Sequence, residues 1–133
     1  GHASAQFKLG TLYYNGVDAP KDLKNARQWF EMAAQQGVAQ AQFNLGVMYF
    51  NGEGVEKDID QAISWIEQAA RQNMAIAQYT LGMFYQDGKV MQQDLESARH
   101  WLNQAALNHS PEDGFLDDLN RRIKLLLADG QDS

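Results

Sequence analysis

The chain has no cysteine in its 133 residues, which excludes disulfide staples and thiolate metal sites and leaves the redox compartment open. It is short of basic side chains, with 11 Lys and Arg against 17 Asp and Glu; the net charge of −6 opposes binding a polyanion over any broad face, so nucleic acid is excluded as a partner. No apolar run approaches the roughly 20 residues that span a bilayer, and neither end has the pattern of a signal peptide, so no membrane insertion is expected. Residue 1 is Gly rather than Met, and Gly1 and Ala3 fall in register with Gly37 and Ala39, so the N-terminus reads as a cut at a repeat boundary.

What the chain does have is a period. Trp29, Trp65 and Trp101 lie 36 residues apart, and most other informative residues recur at the same interval. Self-similarity of this length marks stacked supersecondary units rather than one closed globule. Each unit opens with Ala-x-x-x-Leu-Gly-x-x-Tyr: Ala5, Leu9, Gly10, Tyr13; Ala41, Leu45, Gly46, Tyr49; Ala77, Leu81, Gly82, Tyr85. Offsets of four and eight place Ala, Leu and Tyr on one helical face. Asn15-Gly16, Asn51-Gly52 and Asp87-Gly88 then break the helix. Asp22, Asp58 and Asp94 read as N-caps of a second helix, with Gln61 adding a capping-box signal. That helix carries Ala26, Trp29, Phe30, Ala33, Ala34 and their counterparts Ala62, Trp65, Ile66, Ala69, Ala70 and Ala98, Trp101, Leu102, Ala105, Ala106, one continuous apolar stripe ended by Gly37, Asn73 and His109. Glycine inside a helix costs about 1 kcal/mol relative to Ala. Gly10, Gly46 and Gly82 therefore predict close helix approach, met by Ala26, Ala62 and Ala98, with the tryptophans filling the volume between pairs.

After His109 the register continues with altered chemistry, since Asp117 and Asp118 stand where Leu45 and Gly46 stood. Ser110-Pro111-Glu112-Asp113 reads as a helix start and Gly130 as a stop, with Phe115, Leu119, Ile123 and Leu126 forming the buried stripe. The expected fold class is all-α: a superhelical solenoid of three helix-turn-helix repeats (about 1–36, 37–72 and 73–109), a capping helix over 111–128 within a 110–129 segment, and a frayed tail at 130–133. The first-unit face near Leu12 and Tyr13 is expected to be exposed, and the oligomeric state stays open.

These residues resemble the Sel1-like repeat family, relatives of the tetratricopeptide repeat with a slightly longer unit. The match rests on Ala-x-x-x-Leu-Gly-x-x-Tyr, on Asn-Gly-x-Gly-Val-x-x-Asp at 51–58, on Ala-x-x-Trp and on the Ala-Ala pair, over residues 1 to about 109. Asp18 and Val90 replace Gly54, and Ala19 and Met91 replace Val55, so those turns are expected to differ in backbone. The resemblance implies adaptor or scaffold roles, with an inclination toward the bacterial envelope or periplasm; it carries fold further than function.

Beside the core face a second stripe runs along the first helices. It comprises Ser4, Phe7, Thr11 and Tyr14; Gln40, Phe43, Val47 and Phe50; and Ile76, Tyr79, Met83 and Gln86, with Asn15, Asn51 and Asp87 at the rim. By resemblance to the tetratricopeptide arrangement these residues line a concave wall suited to a peptide or an amphipathic helix of another protein. Alternatively, Phe7, Phe43 and Tyr79 finish the packing between units, while Thr11, Val47 and Met83 vary as core residues should not.

Some members of the family have been described as β-lactamases, so a cell-wall-linked role, binding or hydrolysing a peptidoglycan-like or β-lactam substrate, is the alternative. A serine hydrolase of that type needs Ser-x-x-Lys, and none of Ser4, Ser64, Ser97 or Ser110 has Lys three residues later. His2, His100 and His109 share no focus, Asp117 and Asp118 point to different sides of a helix, and Gly52-x-Gly54 lacks the strand and Lys of a phosphate loop. Arg27 with Glu31 and Glu67 with Arg71 read as solvated helix pairs. The expectation is a non-enzymatic interaction module without cofactor or metal.

Overall fold

The computed structural model describes residues 2–16 and 20–131. Among the described residues seven helices follow one another: α1 (His2–Asn15), α2 (Leu23–Gln35), α3 (Ala39–Asn51), α4 (Ile59–Arg71), α5 (Ala75–Asp87), α6 (Leu95–Asn108) and α7 (Leu116–Gln131). No strand occurs among the described residues. The helices fall into two compact units, Gly1–Ala69 and Ala70–Ser133.

In the first unit α2 packs against α1 and α3. Its core is Ala26, Phe30, Ala33 and Ala34 of α2 with Ala41, Leu45 and Met48 of α3, all buried. The four α2 residues recur at spacings of three, four, seven and eight, which is why one stripe of that helix is apolar. In the second unit α5 packs on α6 and α7 covers α6, around Ala98, Leu102, Ala105, Leu119 and Leu126.

The mid-helix glycines make room for a different neighbour than the alanines predicted. A Cβ on Gly10 would sit 2.7 Å from the Phe30 ring, one on Gly46 2.7 Å from Ile66 Cγ1, and one on Gly82 2.5 Å from Leu102. Ala62 contributes only its carbonyl oxygen, 3.0 Å from the Gly46 position. The large side chain is thus the residue after each tryptophan, and Phe30, Ile66 and Leu102 are fully buried. Trp29, Trp65 and Trp101 are only half-buried, at the flank of the core rather than in its middle.

The turns follow the sequence closely. Gly16, Gly52 and Gly88 take φ of 72°, 72° and 67°, a region only glycine enters without strain. Gly37 and Asn73 are likewise left-handed at the ends of α2 and α4. Asp22, Asp58 and Asp94 each accept a hydrogen bond at 3.1 Å, from the backbone N–H of Asn25, Gln61 and Ser97. Their own N–H groups donate to the carbonyls of Tyr13, Tyr49 and Tyr85 at 2.9, 2.9 and 3.0 Å. The N–H that a capping box would offer to Gln61 is therefore already bonded, and that signal is corrected. Gly54 has φ of 69° while Val90, at the matching position, is not left-handed, so the two turns do differ. Asp18 and Ala19 lie outside the described residues.

The C-terminal helix starts later than Pro111 suggests. Ser110 accepts at its carbonyl from Asp113 N–H at 3.0 Å, and the Asp113 carboxylate accepts from Ser110 N–H at 2.7 Å. Ser-Pro-Glu-Asp has closed a turn on itself, because the φ that suits Pro to a helix start suits it equally to the second position of a turn. Helix α7 begins at Leu116 and runs through Gly130 to Gln131, so neither the start at 111 nor the stop at 130 holds.

One repeated residue escaped the sequence reading. Gln42 and Gln78, in register with Gln6, are 4% and 1% exposed. Their Nε2 groups donate to the carbonyls of Ala34 at 3.1 Å and Ala70 at 3.0 Å, in the last turns of α2 and α4. Each satisfies a helix-end carbonyl that would otherwise lack a full complement of donors. Replacing Gln42 with Ala is expected to lower stability to urea by about 2 kcal/mol, through the lost hydrogen bond and the void. The same change at half-buried Gln6, whose side chain bonds Gln36 and Met32 instead, should cost far less.

Candidate partner-binding site

The residues of the predicted wall divide between the two units. In the first, Phe7, Thr11, Tyr14, Phe43, Val47 and Phe50 are half-buried, and Gln40 and Asn51 are exposed. Between α1 and α3 lies a cleft of about 310 Å³. Thr11, Tyr14 and Asn15 form one side and Phe43, Asn44 and Val47 the other, with Phe30 of α2 completing the lining. Four of the predicted residues, Thr11, Tyr14, Phe43 and Val47, thus meet at one cavity. Phe7 is not among its lining residues; it packs on the core with its ring 5.8 Å from that of Phe30.

Tyr14 is fixed on several sides. Its ring lies 6.3 Å from Phe30, and the Lys21 ammonium sits 5.5 Å from its centroid, within cation–π range. Its hydroxyl donates to both carboxylate oxygens of Glu53, at 3.0 and 3.3 Å. Burial first, and then the Glu53 carboxylate, push the phenol above its ordinary range, so Tyr14 is a proton donor at any physiological pH. Glu53 also accepts from Asn51 Nδ2 at 3.4 Å. Sequence reading passed over Glu53 because its counterparts in the other turns, Val17 and Lys89, do not repeat it. Asn15 and Asn44 make no side-chain hydrogen bond among the described residues, which leaves their amides available at the cleft.

In the second unit Ile76, Tyr79, Met83 and Gln86 are half-buried, and α7 holds two of them. The Tyr79 ring stacks on Phe115 at 4.8 Å with 19° between planes, and its hydroxyl donates to Asp118. Gln86 donates to the Arg122 carbonyl and accepts from Arg122 Nη1, both at 3.1 Å. Arg122 also pairs with Asp87 at 2.8 Å and with Asp118 at 2.6 Å. Burial disfavours the Asp118 charge, but hydrogen bonds from Tyr79, Arg122 and Arg121 outweigh it and hold the carboxyl well below the usual range. Tyr79 and Gln86 therefore bind the chain's own C-terminal helix, which is the packing role the sequence left open for Tyr79.

The residues weighed for chemistry lie apart. His2, His100 and His109 are exposed, His100 with its ring edge-on to Trp101 at 4.9 Å. Asp117 is exposed whereas Asp118 is engaged as above. Among the described residues no group of three or more His, Cys, Asp or Glu could hold a metal ion, and no helix is long and apolar enough to cross a membrane. The Arg27 to Glu31 pair is less solvated than expected: the arginine side chain is 19% exposed and its Nε is buried with no hydrogen-bond partner among the described residues.

The model of the Sel1 repeat matches residues 3–38, 39–74 and 75–110. The chain belongs to the Sel1 repeat family. It is similar to a Sel1 repeat protein of Oxalobacter formigenes, with 37% identity and a TM-score of 0.77 over 80% of this chain and 43% of that one. It is similar to the same degree, 37% identity and TM-score 0.77, to c5321, a protective antigen of uropathogenic Escherichia coli strains with the same repeat fold, over 81% of this chain and 23% of that one. The chain thus spans less than half the length of these bacterial relatives. Among curated proteins none matches. The fold class is that of the family, an all-α repeat array of the solenoid class with a capping helix. Sel1 repeat proteins generally mediate protein–protein interaction and are typically non-catalytic scaffolds.

Proposed function

We propose that this chain is a non-enzymatic adaptor module that holds another polypeptide at the cleft between α1 and α3. The observation that carries the reading is the cleft itself. Its volume, about 310 Å³, suits one bulky side chain, and Phe30, Phe43 and Val47 give it apolar walls beside polar Asn15 and Asn44. An apolar pocket rimmed by a few polar groups is the usual form of a peptide anchor site. Of the wall positions that differ between repeats, Thr11 and Val47 line the cleft, so its chemistry is particular to the first two repeats.

Selection from a random peptide library displayed on phage, with the intact chain as bait, tests this. Substituting Val47 with Arg, at a half-buried wall position, should weaken binding of the selected peptides at least about tenfold, since a buried unpaired charge in the pocket costs more than 1.4 kcal/mol. Helicity and the unfolding midpoint should change little. Peptides that bind V47R as tightly as the parent would place the site elsewhere.

A further inference from the structure

We infer that the cleft selects an extended segment in which a bulky apolar residue is followed or preceded by a Lys or Arg that pairs with Glu53. The inference rests on the cleft's being the partner site and goes on to name the partner's chemistry. Glu53 reaches from the turn after α3 to the hydroxyl of Tyr14, a lining residue of the cleft. Both donors that hold it, Tyr14 Oη and Asn51 Nδ2, are neutral. No cation pairs with it among the described residues, and Lys21, the nearby ammonium, is placed over the Tyr14 ring. A half-buried carboxylate held by neutral donors has no counter-charge paired to it among the described residues, and a cation brought next to it completes the pair without reorganisation. The overall charge of −6 adds a weak attraction of the same sign.

The backbone geometry of the occupant follows from the rest of the cleft. A docked amphipathic helix buries anchors at i, i+3 or i+4, and i+7, and so needs a row of pockets. A cavity of about 310 Å³ accommodates one such anchor. A helix also satisfies its own peptide groups, leaving nothing for Asn15 and Asn44 to bond, whereas an extended segment exposes N–H and C=O groups on both sides of an inserted side chain. Two amides without a hydrogen-bond partner among the described residues, beside one pocket, match the second case. The Asn amide can donate to a carbonyl and accept from an N–H at once, which fixes the strand's direction as well as its depth.

Two end-blocked pentapeptides test the inference, each with a central Phe and glycine elsewhere except the following residue, Lys in one and Glu in the other. They are titrated into the intact, ¹⁵N-labelled chain and the backbone amide shifts are followed. Both should move the amides of Thr11, Asn44 and Val47, with the Lys peptide bound about fivefold more tightly, the upper end for a partly exposed ion pair. Glu53→Gln keeps an acceptor for Tyr14 and should bring the two affinities to within about twofold, because only the charge is removed. Equal affinities in the parent chain, or a helix-stapled peptide with the same Phe-Lys pair binding more tightly than the extended one, would overturn the inference while leaving the cleft as the site. Absence of any shift at the cleft with either pentapeptide would overturn the inference; if the phage-selected peptides also leave those amides unmoved, the site assignment fails with it.

Discussion

Replacing Phe30 with alanine is expected to destabilise the first unit by about 3 to 5 kcal/mol, the range for removing a buried aromatic side chain. Phe30 is 1% exposed and sits against Gly10, Phe7 and Tyr14. The void it leaves cannot close readily, because the α1 residue facing it is a glycine with no side chain to lean inward. The same contact gives a sharper test. Gly10→Ala alone should destabilise, since its Cβ would lie 2.7 Å from the ring. In the Phe30→Ala background the sign should reverse, with the methyl occupying part of the void and the helix regaining the roughly 1 kcal/mol that glycine costs in its interior. A urea-denaturation cycle over the four proteins measures the coupling. If Gly10→Ala destabilises equally in both backgrounds, the glycine serves backbone approach rather than the ring.

The contact between Gly10 and Phe30 also shows where the sequence was legible and where it was not. The period located the helix pairs, the three caps and the left-handed turns, because a cap or a turn depends on a few consecutive residues and their local hydrogen bonds. Packing partners were harder. The stripe contains Phe30, Ile66 and Leu102 beside the identical tryptophans, but their differing kinds conceal that they, and not the alanines, share the buried position facing each glycine. Tryptophan is large enough to span core and surface, so its recurrence does not locate the centre of the core. Gln42 and Gln78 repeat as faithfully as the tryptophans, yet a glutamine on a helix reads as surface until its amide is seen on the carbonyl of the preceding pair. At the site, stripe spacing found Thr11, Tyr14, Phe43 and Val47, which are helix-face properties. It missed Asn15 as a lining residue, having it only at the rim, and it missed Asn44, which lines the cleft, and Glu53, which holds the hydroxyl of the lining Tyr14; helix stacking and turn geometry place them, and spacing encodes neither. Ser110-Pro111 misled for a physical reason too: one backbone conformation serves both a turn and a helix start, and only Asp113 closing back on Ser110 decides between them.

The turn that presents Glu53 should be the most sensitive backbone site in the first unit. Gly54 has φ of 69°, and a Cβ there would lie 2.4 Å from the Leu23 carbonyl oxygen and 2.9 Å from Leu23 Cβ. Leu23 cannot yield easily, because it follows the Asp22 cap, which is tied to Asn25 N–H and to the Tyr13 carbonyl. Gly54→Ala therefore combines a left-handed strain of about 1 to 2 kcal/mol with overpacking of a further 1 to 3 kcal/mol. Gly52→Ala provides the comparison: its φ is 72°, but its nearest neighbour, Lys57 Cβ, is 3.4 Å away, so only the strain applies. The expected order is a loss of about 3 to 4 kcal/mol for Gly54→Ala against about 1 to 2 for Gly52→Ala, read from denaturation midpoints. Equal losses would show that Leu23 yields without cost. If the turn instead moves away from α2, Glu53 leaves Tyr14, and the preference for the Lys over the Glu pentapeptide should fall along with stability. A stability loss with that preference intact would mean that the carboxylate is held by Tyr14 alone and that the turn is only its tether.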